Sequence, residues 1–311
     1  MNHVVITGAD GFIGSHLTRY FSEHETVIYA IVSPKSKTTY RIQDVQNVKI
    51  IPMDLENYFD LVNKIPLSPL AVFHLAWSGV SPEDRNCTEE QVKNLQLALW
   101  AVRLAHAIQA KRFVFPGSTF EYSYCGSLIN RKAIPSPQNA YGATKISARY
   151  LCESLCKELG VPYIYTVITG IYGPDRLDNN VITYTIKQLL LKSKPSYTSL
   201  EQEWDYIHID DLVAALFLIA YKGRAGAFYS IGHGDNWPLY NYIKIIRDII
   251  DPSLPLGIGE LPYSNAKLPS SCIDLEELKR DTGFSPRIPF EEGITEVIKS
   301  ISNFIRLQEG E

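Results

Sequence analysis

The stretch from Val4 to Leu17, VVITGADGFIGSHL, constrains this chain more than any other. Val4, Val5 and Ile6 form a continuous apolar run, the signature of a strand buried on both faces of a parallel sheet. Gly8, Gly11 and Gly14 follow at even spacing, and Leu17, Tyr20 and Phe21 then recur at helical spacing. Strand, glycine turn and helix in this order make an anion site. Gly8 permits a tight turn, Gly11 lets the backbone approach a pyrophosphate, and Gly14 lets the helix pack close to the strand. The first N–H groups and the positive end of the helix dipole then face the phosphates, with Phe12 and Ile13 beside the glycines as ligand-facing residues. GxxGxxG alone also fits a purely structural turn; its placement between a strand and a helix favours dinucleotide binding.

A second strand is predicted over Thr26–Val32, and the residues after it bear on the cofactor. An acidic residue there would accept hydrogen bonds from the ribose 2′-hydroxyl of NAD. This chain has Ser33, Pro34, Lys35, Ser36 and Lys37 instead, with Arg41 nearby. A hydroxyl and an ammonium hold a 2′-phosphate that a carboxylate would repel, so NADP(H) is preferred, with NAD(H) possible. A solvated basic loop that touches no ligand is the other reading of the same residues.

Further strands are predicted at Val48–Ile51, Leu70–Ala76, Arg112–Phe115 and Tyr163–Ile168, with long helices over 88–109 and 141–159. This alternation implies an α/β fold: a Rossmann-type, doubly wound parallel sheet whose ligands lie beyond the carboxyl ends of the strands. Ser118 stands at one such end. His74 lies inside a strand and reads as structural. Tyr141 and Lys145 begin the 141–159 helix four residues apart and share a face. A second YxxxK, Tyr240 and Lys244, opens an amphipathic helix with no serine-ended strand before it, and serves as the chance-level comparison. Beyond residue 170 the alternation loosens. Residues 1–170 are expected to form the Rossmann domain, with 204–222 returning to it, and 171–311 a smaller α/β substrate-binding cap.

Composition narrows the function. At 311 residues, 45% of them hydrophobic and 21% charged, the chain can bury a large core. A net charge of −4 gives no basic surface for nucleic acid. No apolar run reaches membrane-spanning length, and a strand from residue 4 leaves no room for a signal peptide, so a cytoplasmic location is expected. The five cysteines include no CxxC, and no histidine pair accompanies Cys152 and Cys156 at metal-ligand spacing. Reduced thiols and no metal site are therefore expected.

TGADGFIG, HLA, Ser118, YGATK, IYGP and WDYIHIDD occur in an order that resembles the NAD-dependent epimerase/dehydratase family of the extended short-chain dehydrogenase/reductase superfamily. The resemblance spans nearly the whole chain. It implies a Rossmann domain with a small C-terminal substrate domain, a nucleotide-sugar substrate, and a homodimer built on the 88–109 and 141–159 helices. It also implies Ser118, Tyr141 and Lys145 as the catalytic trio, Asp54 and Leu55 beside the adenine, and Leu75, Ala76 and Trp77 along the cofactor path. Thr119, Phe120 and Asn180 would join Ser118 and Tyr141 in touching substrate. The chemistry is coherent, because an adjacent ammonium favours the phenolate of a tyrosine and lets it exchange a proton near neutral pH.

Departures from the family pattern refine the reading. Dehydratases of this family carry an Asp–Glu pair after the Ser/Thr, where this chain has Thr119 and Phe120; Glu121 is one step out of register, at a usually apolar position. Val167 and Gly170 replace the Arg and Asn of RxxNxYGP, and Trp204 stands where many members place a phosphate-gripping arginine. Lys187, Lys192, Arg176 and Arg287 are the candidate substitutes. The expected activity is NADPH-dependent reduction of the 4-keto group of a nucleotide-linked deoxyhexose. The alternatives are a nucleotide-sugar 4-epimerase and, more remotely, a non-catalytic NAD(P)-binding regulatory protein.

Overall fold

The structure, a computed structural model, describes residues 2–123, 128–176, 178–263 and 272–309. Strand β1 (His3–Thr7) runs through the glycine turn into helix α1 (Phe12–Glu23). There follow β2 (Val27–Val32), β3 (Val48–Pro52), α2 (Tyr58–Val62), β4 (Val72–His74), α3 (Thr88–Ala107), β5 (Phe113–Ser118), α4 (Ala140–Leu159) and β6 (Tyr163–Ile168). The rest comprises β7 (Gly170–Tyr172), α5 (Val181–Leu190), β8 (Glu203–Trp204), β9 (Tyr206–His208), α6 (Ile209–Lys222), β10 (Phe228–Ile231), β11 (Trp237–Pro238), α7 (Leu239–Ile250), α8 (Glu276–Thr282) and α9 (Phe290–Glu309).

Seven strands form one parallel sheet in the order β10-β6-β5-β4-β1-β2-β3. The chain winds outward from β1 to β3, then resumes on the other side at β4. The gap between β1 and β4 is thus a topological switch point, where ligands of such sheets bind. The apolar runs follow from layers on both faces. Val5, Phe113, Phe115, Tyr163 and Tyr165 join one core with α2, α3 and α4. Their neighbours Val4, Ile6, Val114 and Ile164 join the other, with α1 and α6. A side-chain period of two sends alternate residues to opposite layers, and both layers demand apolar side chains.

A third core lies outside the sheet, where α5, α7 and α9 pack around Tyr172, Tyr197, Tyr206 and Tyr242. The sequence reading returns 204–222 to the Rossmann domain, with WDYIHIDD rejoining its sheet. Helix α6 does pack on α1, but the strand does not join the sheet. WDYIHI splits at Asp205: Trp204 pairs with Trp237, and β9 pairs with β7 in a separate ladder. The buried Asp205 carboxylate accepts the backbone N–H groups of His233 and Gly234, at 3.0 Å each. That loop thereby interrupts the run. The sheet's outer edge is instead β10, which lies beyond residue 222 and pairs with β6. No helix among the described residues is long and apolar enough to cross a membrane.

Candidate active site

The glycine turn has the geometry that its spacing predicts. Gly8 sits at φ 66°, and a Cβ on it would fall 2.8 Å from the Ala76 backbone. A Cβ on Gly14 would fall 2.1 Å from the Gly8 carbonyl oxygen, so the close approach of α1 to the turn admits no side chain. Gly11 differs: a Cβ there meets only Gly8 O at 3.3 Å, so little in the protein itself crowds it and its open side faces the cavity. Gly8 and Ala9 donate to Ile31 O, which pins the turn to β2. The first N–H groups of α1 have no intrahelical partners and lie at this end of a cavity of about 580 Å³.

That cavity runs from the turn, past the carboxyl ends of β4 and β5, to Trp204 and Arg176. Ser118 is the last residue of β5 and Tyr141 stands in the first turn of α4, whose start is fixed by the Asn139 side chain accepting Gly142 N–H at 2.8 Å. The Arg85 carbonyl accepts Tyr141 N–H at 2.9 Å, and Asn86 accepts Ala140 N–H at 3.1 Å. The loop before α3 is thereby fastened to this helix start. Ser118 and Tyr141 both line the cavity, with the serine hydroxyl beside the phenol.

Burial pushes the Tyr141 phenol up to about 12, against the influence of the nearby Ser118, Arg85 and Arg176. Lys145 is buried. Its Nζ donates to Pro116 O at 3.0 Å, sits 3.8 Å from the Trp77 ring centroid, and lies 5.9 Å from that of Tyr141. Burial pulls its ammonium down to about 7. Trp77 is held in turn, its indole N–H donating to Gln91 at 3.0 Å. His74 also lines the cavity, but it is 1% exposed and bound through Nδ1 to Thr7 Oγ1 at 2.9 Å. Desolvation, then the neighbouring Lys145, lower its pKa to about 3, so it is a neutral structural imidazole.

The cavity brings together Gly8, Gly11, Phe12, Ile13, Gly14, Leu75, Trp77, Ser118, Thr119, Phe120, Tyr141 and Lys145. It leaves out several other residues singled out from sequence. Ser33, Lys35 and Asp54 are exposed away from it, and Leu55 is buried in the core beneath α3. Ala76 contributes backbone against Gly8. The Asn180 side chain is engaged as the cap of α5, accepting Ile182 N–H at 3.0 Å and Thr183 N–H at 3.2 Å. Of the four candidate phosphate partners, Arg176 lines the cavity; Lys187, Lys192 and Arg287 are not among its described lining residues.

Two residues gain importance from the structure. Arg85, unremarked in the sequence, stacks its guanidinium 4.2 Å from the Phe120 ring centroid and lines the cavity; no spacing rule marks a loop residue of this kind. Arg41 reaches the glycine-turn end. Its loop is held by the Asp10 carboxylate, which accepts the hydroxyls of Ser36, Thr38 and Thr39. Elsewhere, Cys152 and Cys156 are buried free thiols, Cys125 lies outside the described residues, and no metal-ligand cluster occurs among the described residues.

The chain is similar to known proteins over nearly its whole length. It is 24% identical over 341 residues to a dTDP-glucose 4,6-dehydratase of Shigella flexneri, with 95% of this chain and 91% of the relative covered. It is 23% identical over 322 residues to a GDP-6-deoxy-D-mannose reductase of Pseudomonas aeruginosa, with 97% of each covered. Among solved structures, UDP-glucuronic acid 4-epimerase from Bacillus cereus, in complex with UDP-glucuronic acid and NAD, superposes with a TM-score of 0.85 at 21% identity. That match covers 97% of this chain and 99% of that one. UDP-N-acetylglucosamine 4-epimerase from Methanobrevibacter ruminantium gives 0.86 at 22% identity, with 97% and 99% covered. The model of the NAD dependent epimerase/dehydratase family matches residues 4–232, and the chain belongs to that family.

Proposed function

We propose that the protein is an NADPH-dependent reductase of a keto group, most specifically the 4-keto group of a nucleotide-linked deoxyhexose. One observation carries this reading: a half-buried phenol, kept protonated and set beside Ser118, faces a cavity continuous with the glycine turn. A dinucleotide fits the groups present. The free N–H groups of α1 and the open side of Gly11 suit a pyrophosphate, Lys145 suits the nicotinamide ribose, and Arg41 suits a 2′-phosphate. When bound, the cofactor supplies the hydride to the carbonyl carbon. Tyr141 gives its Oη proton to the carbonyl oxygen, and the Ser118 hydroxyl hydrogen-bonds that oxygen and aligns the carbon. Arg85 and Arg176 stabilise the charge left on Tyr141, and both face the substrate phosphates in place of the arginine that Trp204 replaces; Arg176, paired with Asp178 at 2.7 and 3.0 Å, would exchange that carboxylate for phosphate.

Thr119 and Phe120, with no carboxylate at either position, argue against elimination of water. The second reading, a nucleotide-sugar 4-epimerase, is favoured by the fold neighbours named above. An epimerase must first take a proton from a hydroxyl, which a phenol near 12 does poorly unless a bound cation lowers it. The exposed apolar side chains Val92 on α3 and Tyr150 and Leu151 on α4 support a homodimer through these two helices. Sedimentation at micromolar concentration tests this, with a monomer as the contrary result.

The decisive assay mixes the protein, NADPH and nucleotide-linked 4-keto-6-deoxyhexoses. A reductase oxidises NADPH in proportion to substrate. In a parallel assay with 4-hydroxy nucleotide sugars and NAD(P)+, interconversion of two 4-epimers without net change in the cofactor establishes the epimerase instead, and inactivity on a broad nucleotide-sugar panel leaves the regulatory reading.

A further inference from the structure

Glu121 follows Ser118 by three residues and is fully buried. Its Oε1 accepts Ser118 N–H at 2.7 Å, and both carboxylate oxygens lie 2.6 Å from the Tyr165 hydroxyl of β6. The packing is built around it: a Cβ on Gly117 would fall 2.4 Å from Oε1. Among the described residues no cation lies within ion-pair distance of it. A buried carboxylate without a contact ion pair is costly, and an apolar side chain would fill the space without that cost.

The benefit lies at the end of β5, where Lys145 Nζ donates to Pro116 O and Glu121 accepts from Ser118 N–H, so that the two groups meet the strand two residues apart. Lys145 is buried among aromatic rings, with a backbone carbonyl as its hydrogen-bond partner. We propose that Glu121 is a positioning residue of the reaction proposed above: it fixes Ser118 at the end of β5 and supplies the buried negative charge that keeps Lys145 an ammonium.

The surrounding groups leave no other source for that charge. Lys145 faces His74 from β4, which is neutral, and Cys152 from its own helix, whose thiol burial pushes up and keeps protonated. Tyr141 is a protonated phenol. Around Glu121 stand Tyr165 of β6, Lys145, Arg149 and Tyr141 of α4, and Tyr122 of its own turn. Arg149 is engaged elsewhere, donating to Tyr122 Oη at 2.8 Å and lying 4.9 Å from the Tyr165 ring. Burial pushes Glu121 up to about 7, while Tyr165, Ser118 N–H, Lys145 and Arg149 pull it back. Desolvation thus acts on both groups, and opposite charges on Glu121 and Lys145 would each support the other.

The test is the Lys145 titration, read by carbon NMR of protein labelled at lysine Cε and assigned by the loss of one resonance in Lys145→Met. It needs no substrate. Removing a neighbouring negative charge lowers the pKa of an ammonium, so Glu121→Gln and Glu121→Val should each lower the Lys145 midpoint by about one pH unit. Glu121→Asp, which keeps the charge, should restore most of it. Because coupling is reciprocal, Lys145→Met should raise the Glu121 carboxyl midpoint by the same amount, which reads the interaction without altering Glu121. In turnover the alkaline limb of kcat should move with the Lys145 midpoint while KM stays near that of the wild type. A purely structural Glu121 would lower activity without moving either midpoint, and unmoved midpoints overturn the proposal. A wild type inert towards every nucleotide sugar would instead sink the reductase reading and leave the measured coupling standing.

Discussion

Two helices of this protein begin with the same four-residue spacing of tyrosine and lysine, and they have little else in common. At the start of α4, Lys145 is 6% exposed, over the Trp77 ring and bonded to Pro116 O, and Tyr141 meets Ser118. At the start of α7, Tyr240 is 38% exposed and Lys244 pairs with Asp248 at 2.5 Å on the helix surface. The first pair is the proposed catalytic one because distant segments converge on it: β5 brings Ser118 and Pro116, and the segment after β4 brings Trp77. The second pair faces outward from an amphipathic helix whose other side, through Leu239, Tyr242, Ile243 and Ile246, packs into the third core. A YxxxK acquires meaning from what the sheet delivers opposite it.

The strongest test of this contrast removes one hydroxyl from each helix. Tyr141→Phe should cut kcat by about a hundredfold to ten-thousandfold with cofactor affinity nearly unchanged, because only the proton-transferring oxygen is lost. Tyr240→Phe should leave turnover at the wild-type level. Near-normal activity in Tyr141→Phe would remove both the reductase and the epimerase readings, and a loss confined to Tyr240→Phe would put the site on the other helix.

Arginines sharpen the difference, since Arg85 and Arg176 flank Tyr141 in the cavity. Arg176→Ala should raise KM for a nucleotide sugar by about tenfold to a hundredfold, the loss of one charge-assisted contact to phosphate. Such a contact is made before and during the reaction, so kcat should fall much less. A KM within twofold of wild type would exclude Arg176 as a phosphate partner.

The loop after β2 holds a smaller version of the same contrast. Arg41 lines the cavity and Lys35 is exposed away from it. Arg41→Ala should weaken NADP(H) about tenfold more than NAD(H), and Lys35→Ala less. Dissociation constants of the wild type that favour NAD(H) would overturn the NADP(H) preference itself.

These contrasts also mark what a sequence can carry. The β1 turn and α1 were legible because every feature is local: an apolar run, glycines at fixed spacing, then helical periodicity. The main sheet followed from alternation. WDYIHI looked like one strand, since nothing near Asp205 in sequence reveals that the turn at 233–234 takes its carboxylate. Lys35 is the cation that the sequence places just after β2, and that Arg41 lines the cavity was not legible because Asp10, which holds the loop, lies far back in the chain. Glu121 could be seen as an acidic residue at a usually apolar position, but its burial depends on Tyr165, which only the pairing of β5 with β6 places beside it.

The smallest expected effect is the most direct measure of the bland member of the pair. Lys244→Ala removes the ammonium that meets Asp248 one turn on. The side chains are 49% and 34% exposed, so the attraction is screened by water and salt. The lysine also precedes the carboxylate, the weaker orientation for such a pair on a helix. Asp248 keeps a partner when Lys244 is removed, because Arg247 Nε donates to it at 2.6 Å. Alanine is moreover the better helix former. The net change in unfolding free energy, measured by urea denaturation, should therefore stay within about 0.5 kcal/mol and shrink further in high salt. Turnover should be unaltered. A loss beyond about 1 kcal/mol, or any fall in kcat, would mean that Lys244 makes a contact its surface position does not account for, and that the second YxxxK is more than a solvated helix face.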